Sequence, residues 1–390
     1  MITVTEALDK LFALAPSLET ETQPLSQAIN RVLRADVISR RTQPPFAASA
    51  MDGYALRALE AEPDAMFKVI GTSAAGHGFS GQVGAGQAVR IFTGAPVPEG
   101  ADRVIIQEDV ERRGDLITLH TDLGTGDNIR PAGVDFTVGD RLAAPRRLSA
   151  ADVALAASMN HPTLTVSRKP IVALIATGDE LVMPGETPNP DQIIASNAFG
   201  LKAMFETAGA KVRLLPIAKD TIESLSALFK LAMGADMIVT IGGASVGDHD
   251  IVAPVAESLG LQQSFYKVAM RPGKPLMAGR MQDSLLIGLP GNPVSSMICG
   301  QLFVVPTLLA MQGLPAQAMR RKTAPLSQDI EANGSREHYM RAVITKDSIA
   351  PMDRQDSSLL SILSTANALL VRPVGDPARK KGEIVEYLPL

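Results

Sequence analysis

From Pro170 onward, short apolar runs alternate with stretches whose apolar positions recur at helical spacing. Ile171–Ala176 (IVALIA) is apolar throughout and ends in Thr177-Gly178-Asp179-Glu180. Ser196 and Asn197 then offer an N-cap to a helical stretch that stops at Gly209. Val212–Ile217 reads as the next strand, followed by Asp220 and a helix to about Met233. Met237–Ile241 is a third strand, leading into Gly242–Asp250 (GGASVGDHD) and a helix from about Ile251 to Leu259. Leu285–Leu289 precedes Pro290-Gly291-Asn292-Pro293 and a long helix. Continuous apolar strands joined by helical crossovers predict a parallel sheet covered on both faces, a doubly wound α/β/α domain. Ligands of such sheets gather at the carboxyl ends of the strands, so four polar turns are expected on one rim.

The N-terminal part has a different pattern. Thr5–Leu14 reads as an amphipathic helix and Leu25–Val37 as a second. Residues 45–130 carry many glycines and short alternating runs such as Ala88–Phe92 and Leu116–Leu119, which predicts mostly β structure. A helix is expected at Ser149–Met159, capped by Ser149. Tyr339–Val343 and Glu383–Tyr387 suggest a small β domain at the C-terminal end.

Composition narrows the chemistry. At 390 residues the chain exceeds one ordinary core, and 46% hydrophobic with 20% charged residues is a globular composition. The formal net charge of −4 argues against a chain-wide grip on nucleic acid or an anionic membrane. The single cysteine, Cys299, excludes an intramolecular disulfide, and no HxxxH or HExxH spacing joins the five histidines. MITVTEALDK carries acids where a signal peptide has a basic region, so the expected location is the cytoplasm.

Several polar clusters remain. Gly242, Gly243, Ser245 and Gly247 fit either a tight strand-to-helix turn or a cradle where backbone N–H groups approach a ligand. Asp248 and Asp250 repel a bare anion but suit Mg²⁺ placed between protein and phosphate. Lys267, Arg271 and Lys274 in YKVAMRPGKP are either a solvated basic turn or a preorganised oxyanion site. Pro290–Pro293, with Ser295 and Ser296 beyond, is a second anion-site candidate at a helix start, or only a cap with Pro293 at its first position. Asp52, Thr93 and Asp135 lie in the compact turns SAMDGYA, FTGAPVP and NIRPAGVD.

Together these stretches resemble the molybdopterin molybdenumtransferase family, the bacterial MoeA proteins, which are similar to the E domain of gephyrin. The shared motifs run in order: MDGYA at Met51–Ala55, TGAPVP at Thr93–Pro98, TGDEL at Thr177–Leu181, SN at Ser196–Asn197, GGASVGDHD, RPGKP at Arg271–Pro275, and LPGNPVS at Leu289–Ser295. SREHYMR and SSLLSILSTANAL also resemble the family's final domain. Two departures stand out: Arg271 where the family often has Lys, and Ala244 where many members have Val.

The resemblance implies a multidomain α/β protein with an N-terminal helical and linker domain (1–45 and 131–168), a β-rich domain (46–130), an α/β molybdopterin-binding domain (169–318) and a C-terminal β domain (319–390). It implies a transferase that takes adenylylated molybdopterin and molybdate with Mg²⁺, and releases AMP. It also implies a homodimer, with transient contacts to molybdopterin adenylyltransferase and to molybdoenzymes. Catalytic roles carry over to Asp52, Thr93, Asp135, Glu180, Asp220 and Asp250, with Glu180, Asp220 and Asp250 as Mg²⁺ ligands. Substrate binding carries over to Ser196, Asn197, Gly242, Gly243, Ser245, Gly247, Lys267, Pro290, Gly291, Asn292 and Pro293. Arg271, Lys274, Ser295, Arg341 and Ser364 would bind molybdate. A lone molybdopterin adenylyltransferase domain, a gephyrin-like scaffold and a non-catalytic pterin-binding regulator are the competing readings. The flanking domains, the missing linker and the retained acids and cations weigh against each in turn.

Overall fold

The computed structural model describes residues 1–243 and 251–390. Its central layer is a six-stranded sheet in the order Lys211–Leu214, Ile171–Ala176, Met237–Ile241, Ser284–Leu289, Met277–Met281, Leu261–Tyr266. The first four strands are parallel, as their apolar runs predict. Met277–Met281 runs antiparallel to them, and Leu261–Tyr266 pairs antiparallel with it in turn. The four expected strands therefore make the parallel sheet, and two further strands extend it at one edge. Leu261–Tyr266 escapes the sequence pattern because Gln262, Gln263 and Ser264 interrupt its apolar run.

Side chains that alternate along each strand feed two cores. Val172, Leu174 and Ala176 join helices α1 (Val4–Leu14), α3 (Asn197–Thr207), α6 (Pro293–Cys299) and α7 (Val305–Met311) on one face. Ala173 and Ile175 join α4 (Ile222–Ala232) and α5 (Val252–Ser258) on the other. Helix α1 begins with a capping box in which Thr3 Oγ1 accepts from Glu6 N–H and Glu6 accepts from Thr3 N–H. Its buried residues Val4, Ala7, Leu8 and Leu11 pack into the α/β core. Helices α6 and α7 are joined by a π-helical turn, Gly300–Val304. The span Pro293–Met311 is apolar enough by composition to cross a membrane, yet 72% of its most apolar window is buried, which makes it a core helix.

The predicted helix at Leu25–Val37 is not formed. Only Leu25–Gln27 makes a 3-10 turn, and Val32–Leu33 and Val37–Ile38 are strands. Asn30 adopts φ +62°, which ends any helix, and its N–H reaches Leu148 O. Strand pairing of Val32–Leu33 with Arg146–Arg147 and Val166 wins over the local pattern. The result is a four-stranded sheet that also contains Thr20–Pro24 and Thr163–Ser167. Its core receives Ala156 of helix α2 (Ala150–Ser158), which is capped by Ser149 as expected.

A clamp fixes this sheet to the base of the α/β layer. Arg168 donates to both carboxylate oxygens of Asp236 at 2.7 Å, and also to Glu19. Asp236 additionally accepts from Ile171 N–H at 2.7 Å, at the first residue of the leading parallel strand.

Residues 53–119 form a second six-stranded sheet, from Gly53–Leu56 to Leu116–Leu119. Near the C-terminus, Glu337–Ile344, Ala368–Arg372, Ile384–Pro389 and Lys322–Pro325 make a third large sheet. Met270–Arg271, from the α/β region, pairs in parallel with Glu337–His338, so the RPGKP turn is stitched to the C-terminal sheet.

Candidate functional site

In chain order, Ile171–Ala176 is followed by a strand on one side of it and then by Met237–Ile241 on the other. The carboxyl ends of these two strands are the switch point where doubly wound sheets open a crevice. Here a cleft of about 770 Å³ lies against Thr177, Gly178, Glu180, Ser196, Asn197 and Asp220. Gly242, Gly243, Pro290, Gly291, Asn292 and Pro293 line it as well. The four expected turns therefore meet on one rim. Hydrogen bonds weld them: Thr177 N–H to Ile241 O, Gly178 N–H to Ala218 O, and Gly242 N–H to Leu289 O, at 3.0–3.1 Å. Ser245, Gly247, Asp248 and Asp250 lie outside the described residues.

The glycines have a packing reason of their own. Gly243 has φ +61°, and a Cβ there would sit 2.2 Å from Val252 Cγ2. Gly242 has φ +93°, and its Cβ would crowd Thr177 Oγ1 at 2.8 Å. Gly291 differs: a Cβ would meet only Gly242 Cα at an ordinary 3.5 Å. The protein itself tolerates a side chain at Gly291.

Asn197 Nδ2 donates to Gly291 O at 2.7 Å and so fixes the PGNP turn. Ser196 precedes α3 but makes no capping bond through its side chain. Asn292 does not cap α6 either; its Nδ2 reaches Ser357 Oγ at 3.1 Å, and Val294 N–H donates to Ser357 O at 3.0 Å. One amide of the α6 first turn is thus spent on the C-terminal domain. Asp220 is not the cap of α4, which is Thr221. Asp220 N–H donates to Asp179 Oδ1 at 3.2 Å, which leaves the Asp220 carboxylate on the cleft wall. Among the described residues, neither Glu180 nor Asp220 makes an ion pair.

The predicted cations approach from beside the cleft. Pro275 lines it, while Arg271 and Lys274 are exposed on the turn just before. Lys274 O accepts from Val268 and Leu276 N–H, and Lys267, at φ +70°, lays its ammonium over the Tyr266 ring at 5.0 Å. His338, the register partner of Arg271, is buried and neutral. Burial, then the charges of Arg271, Arg372, Arg341 and Arg336, push its pKa down to about 4. Ser295 is buried in α6, and Ser364 is exposed on α8 (Leu360–Thr365), which packs on α6. Arg341 is 1% exposed, and its guanidinium donates to Asp356 O (2.7 Å), Arg354 O (3.2 Å) and Gln355 Oε1 (3.3 Å). The structure thus gives Arg341 a place beneath the loop rather than on the cleft wall.

Asp52 and Thr93 meet directly, with both Thr93 N–H and Oγ1 at 2.7 Å from Asp52 Oδ1. These bonds, the backbone one first, hold the Asp52 carboxyl below its ordinary range. Asp135 follows the short strand Ile129–Arg130, which pairs with Ala48–Ser49 just before Asp52. None of the three lines the cleft.

Cleft residues absent from the sequence expectation include Ile193 and Ile194, an apolar wall paired with Leu181–Val182, and Ser358. Ser358 belongs to SSLLSILSTANAL, where five hydroxyls compete and spacing alone favours none.

A doubly wound domain with its cleft at the switch point, flanked by β domains of which one supplies a cleft residue, defines a class of multidomain α/β proteins. The chain matches "MoeA N-terminal region (domain I and II)" over residues 2–160. It matches "Probable molybdopterin binding domain" over 173–310 and "MoeA C-terminal region (domain IV)" over 323–390. It is 36% identical to a molybdopterin molybdenumtransferase of Haemophilus influenzae over 80% of this chain and 78% of that one. It is 33% identical to one of Bacillus subtilis, over 99% and 94%. A crystal structure of a molybdopterin biosynthesis MoeA protein from Pyrococcus horikosii superposes with a TM-score of 0.80 at 30% identity, covering 100% and 99% of the two chains. The chain belongs to the molybdopterin molybdenumtransferase family and is an enzyme of that family.

Proposed function

We propose that the chain inserts molybdenum from molybdate into adenylylated molybdopterin, releasing AMP in a Mg²⁺-dependent reaction. The observation that carries this reading is the division of the cleft. Two carboxylates without an ion-pair partner among the described residues line it, and a cationic turn reaches it at Pro275. Its volume of about 770 Å³ lies within the usual size range for small-molecule sites.

Glu180 and Asp220 suit Mg²⁺, a hard cation held by one or two carboxylates together with substrate phosphates. Asp250 would complete the set from outside the described residues. When bound, the ion would supply charge neutralisation at the phosphoanhydride. The chain's own residues do the positioning. Ile193 and Ile194 offer an apolar wall to a flat heterocycle, and Gly291 lets the ligand approach backbone. Asn197 holds the turn open. Arg271 and Lys274 favour a tetrahedral oxyanion beside the cleft, with Ser295 and Ser364 toward the C-terminal domain; Arg341 would act through the loop it holds. Asp52, Thr93 and Asp135 would act across a homodimer, against the partner's cleft. A cytoplasmic location, and transient contact with molybdopterin adenylyltransferase and with molybdoenzymes, belong to the same reading.

The test is AMP release from adenylylated molybdopterin with and without molybdate and Mg²⁺. Release that requires both supports the transferase reading, and Asp220→Ala should then lower Mg²⁺-dependent turnover at least tenfold. Tight binding without release would replace it with a carrier or regulator.

A further inference from the structure

The C-terminal domain contributes one hydroxyl to the cleft, and the way it is held decides what it can bind. Ser358 lines the cleft next to the PGNP turn. Its Oγ donates to Asp356 Oδ1 at 2.6 Å, and its N–H goes to the same oxygen at 2.8 Å. These two bonds, the side-chain one first, hold the Asp356 carboxyl below its ordinary range, so it accepts rather than donates. A serine hydroxyl has one hydrogen and two lone pairs. With the hydrogen given to a carboxylate, Ser358 shows the cleft lone pairs only.

The loop that carries this pair is fastened from below and above. Arg341 binds the carbonyls of Arg354 and Asp356, while Gln355 Nε2 returns bonds to Arg341 O at 2.9 Å and Met352 O at 2.7 Å. On the cleft side, Ser357 takes the bonds from Asn292 and Val294. The hydroxyl is therefore preorganised, and a preorganised acceptor beside a carboxylate disfavours phosphate or molybdate oxygens.

We propose that Ser358 is a specificity-determining residue that accepts a hydrogen bond from an N–H or O–H edge of the ligand, with Asp356 as its positioning residue. The inference rests on the functional reading above and adds an orientation to it: the donor-bearing edge of the ligand faces the C-terminal domain, and its anionic groups face away. A pterin ring edge and a nucleotide ribose or base both offer such donors, so the shared chemistry is the donor edge.

The experiment compares full-length wild type, Ser358→Ala, Ser358→Thr, Asp356→Ala and the Ser358→Ala/Asp356→Ala double variant. Binding of molybdopterin and of AMP is measured separately by calorimetry, with steady-state KM and kcat for AMP release from the adenylylated substrate. Ser358→Ala should weaken one ligand about fivefold to tenfold, the worth of a single hydrogen bond. It should raise KM with kcat and thermal midpoint unchanged, and Ser358→Thr should restore affinity. The double variant should lose little beyond Ser358→Ala, because both residues serve one bond. Loss confined to molybdopterin assigns the pterin edge, and loss confined to AMP assigns the nucleotide. Equal affinity of wild type and Ser358→Ala for both ligands overturns the inference while the transferase reading stands. If wild type binds neither ligand, the functional reading fails first and takes the inference with it.

Discussion

Thr93 gives both its backbone N–H and its hydroxyl to one oxygen of Asp52, although 41 positions separate them. The short strand Ala48–Ser49 makes this possible, since Ser49 N–H reaches Ala95 O and Gly94 N–H returns to Ser49 O. Removing the hydroxyl in Thr93→Val leaves the backbone bond and should move the Asp52 pKa up toward the ordinary carboxylate value. Because the folded-state pKa is depressed, the stabilisation from this contact is present above the ordinary carboxylate pKa. It is lost as pH falls through the pKa of Asp52. A carbon-13 NMR titration of Asp52 that is superimposable in both proteins would contradict the contact.

Gly243 and Gly291 should respond in opposite ways to alanine. Gly243→Ala meets a left-handed backbone and Val252 Cγ2 at 2.2 Å, and should cost about 2 kcal/mol or more in urea unfolding. Gly291→Ala should leave stability within about 0.5 kcal/mol but weaken ligand binding by narrowing the cleft. Equal stability losses would show that Gly291 is also needed for packing.

His338 should make folding sensitive to acid. Its folded-state pKa of about 4 lies below the unfolded value of roughly 6.5, so the unfolded chain takes up more protons between those values. Stability is full above the unfolded pKa and falls as pH drops through that window, by about 2–3 kcal/mol at pH near 4.5. Urea midpoints of wild type and His338→Gln across pH 7.5 to 4.5 check this. Parallel curves would mean that the imidazole already takes up its proton in the folded state.

Asp236 accepts from two Arg168 nitrogens and from Ile171 N–H, with its side chain 15% exposed. Asp236→Ala should destabilise the fold by about 2–3 kcal/mol, because it leaves an amide and a guanidinium without their acceptor. A loss under 0.5 kcal/mol in chemical denaturation would show that water or Glu19 takes over.

What the chain reveals in advance follows the range of the interactions involved. Ile171–Ala176 and Met237–Ile241 are continuous apolar runs, and the turns after them carry their own glycines and acids, so the cleft rim was readable locally. Leu25–Val37 reads as a helix in isolation, but strands supplied from beyond residue 140 decide its conformation. Asp52 and Thr93 stood out as turn residues, but their meeting depends on three separate segments. Ser358 was hidden by the sameness of its neighbours: only the loop fastened by Arg341 singles it out from the other hydroxyls of its stretch.

Helix α1 leaves the chain's first turn and then waits. The elements it packs against, Met277–Met281, Gly300–Val304 and α7, all lie more than 260 positions downstream, and both N-terminal sheets are made in between. During synthesis the helix therefore emerges long before the surface that will receive it, and closing so large a loop is slow. Until then Val4, Ala7, Leu8 and Leu11 travel as an unsatisfied apolar stripe, a target for chaperones and a handle for aggregation. The completed α/β layer would have a bare strip where that helix belongs if the first dozen residues were cut away, so solubility of the truncated chain, more than its activity, would be the first property to suffer.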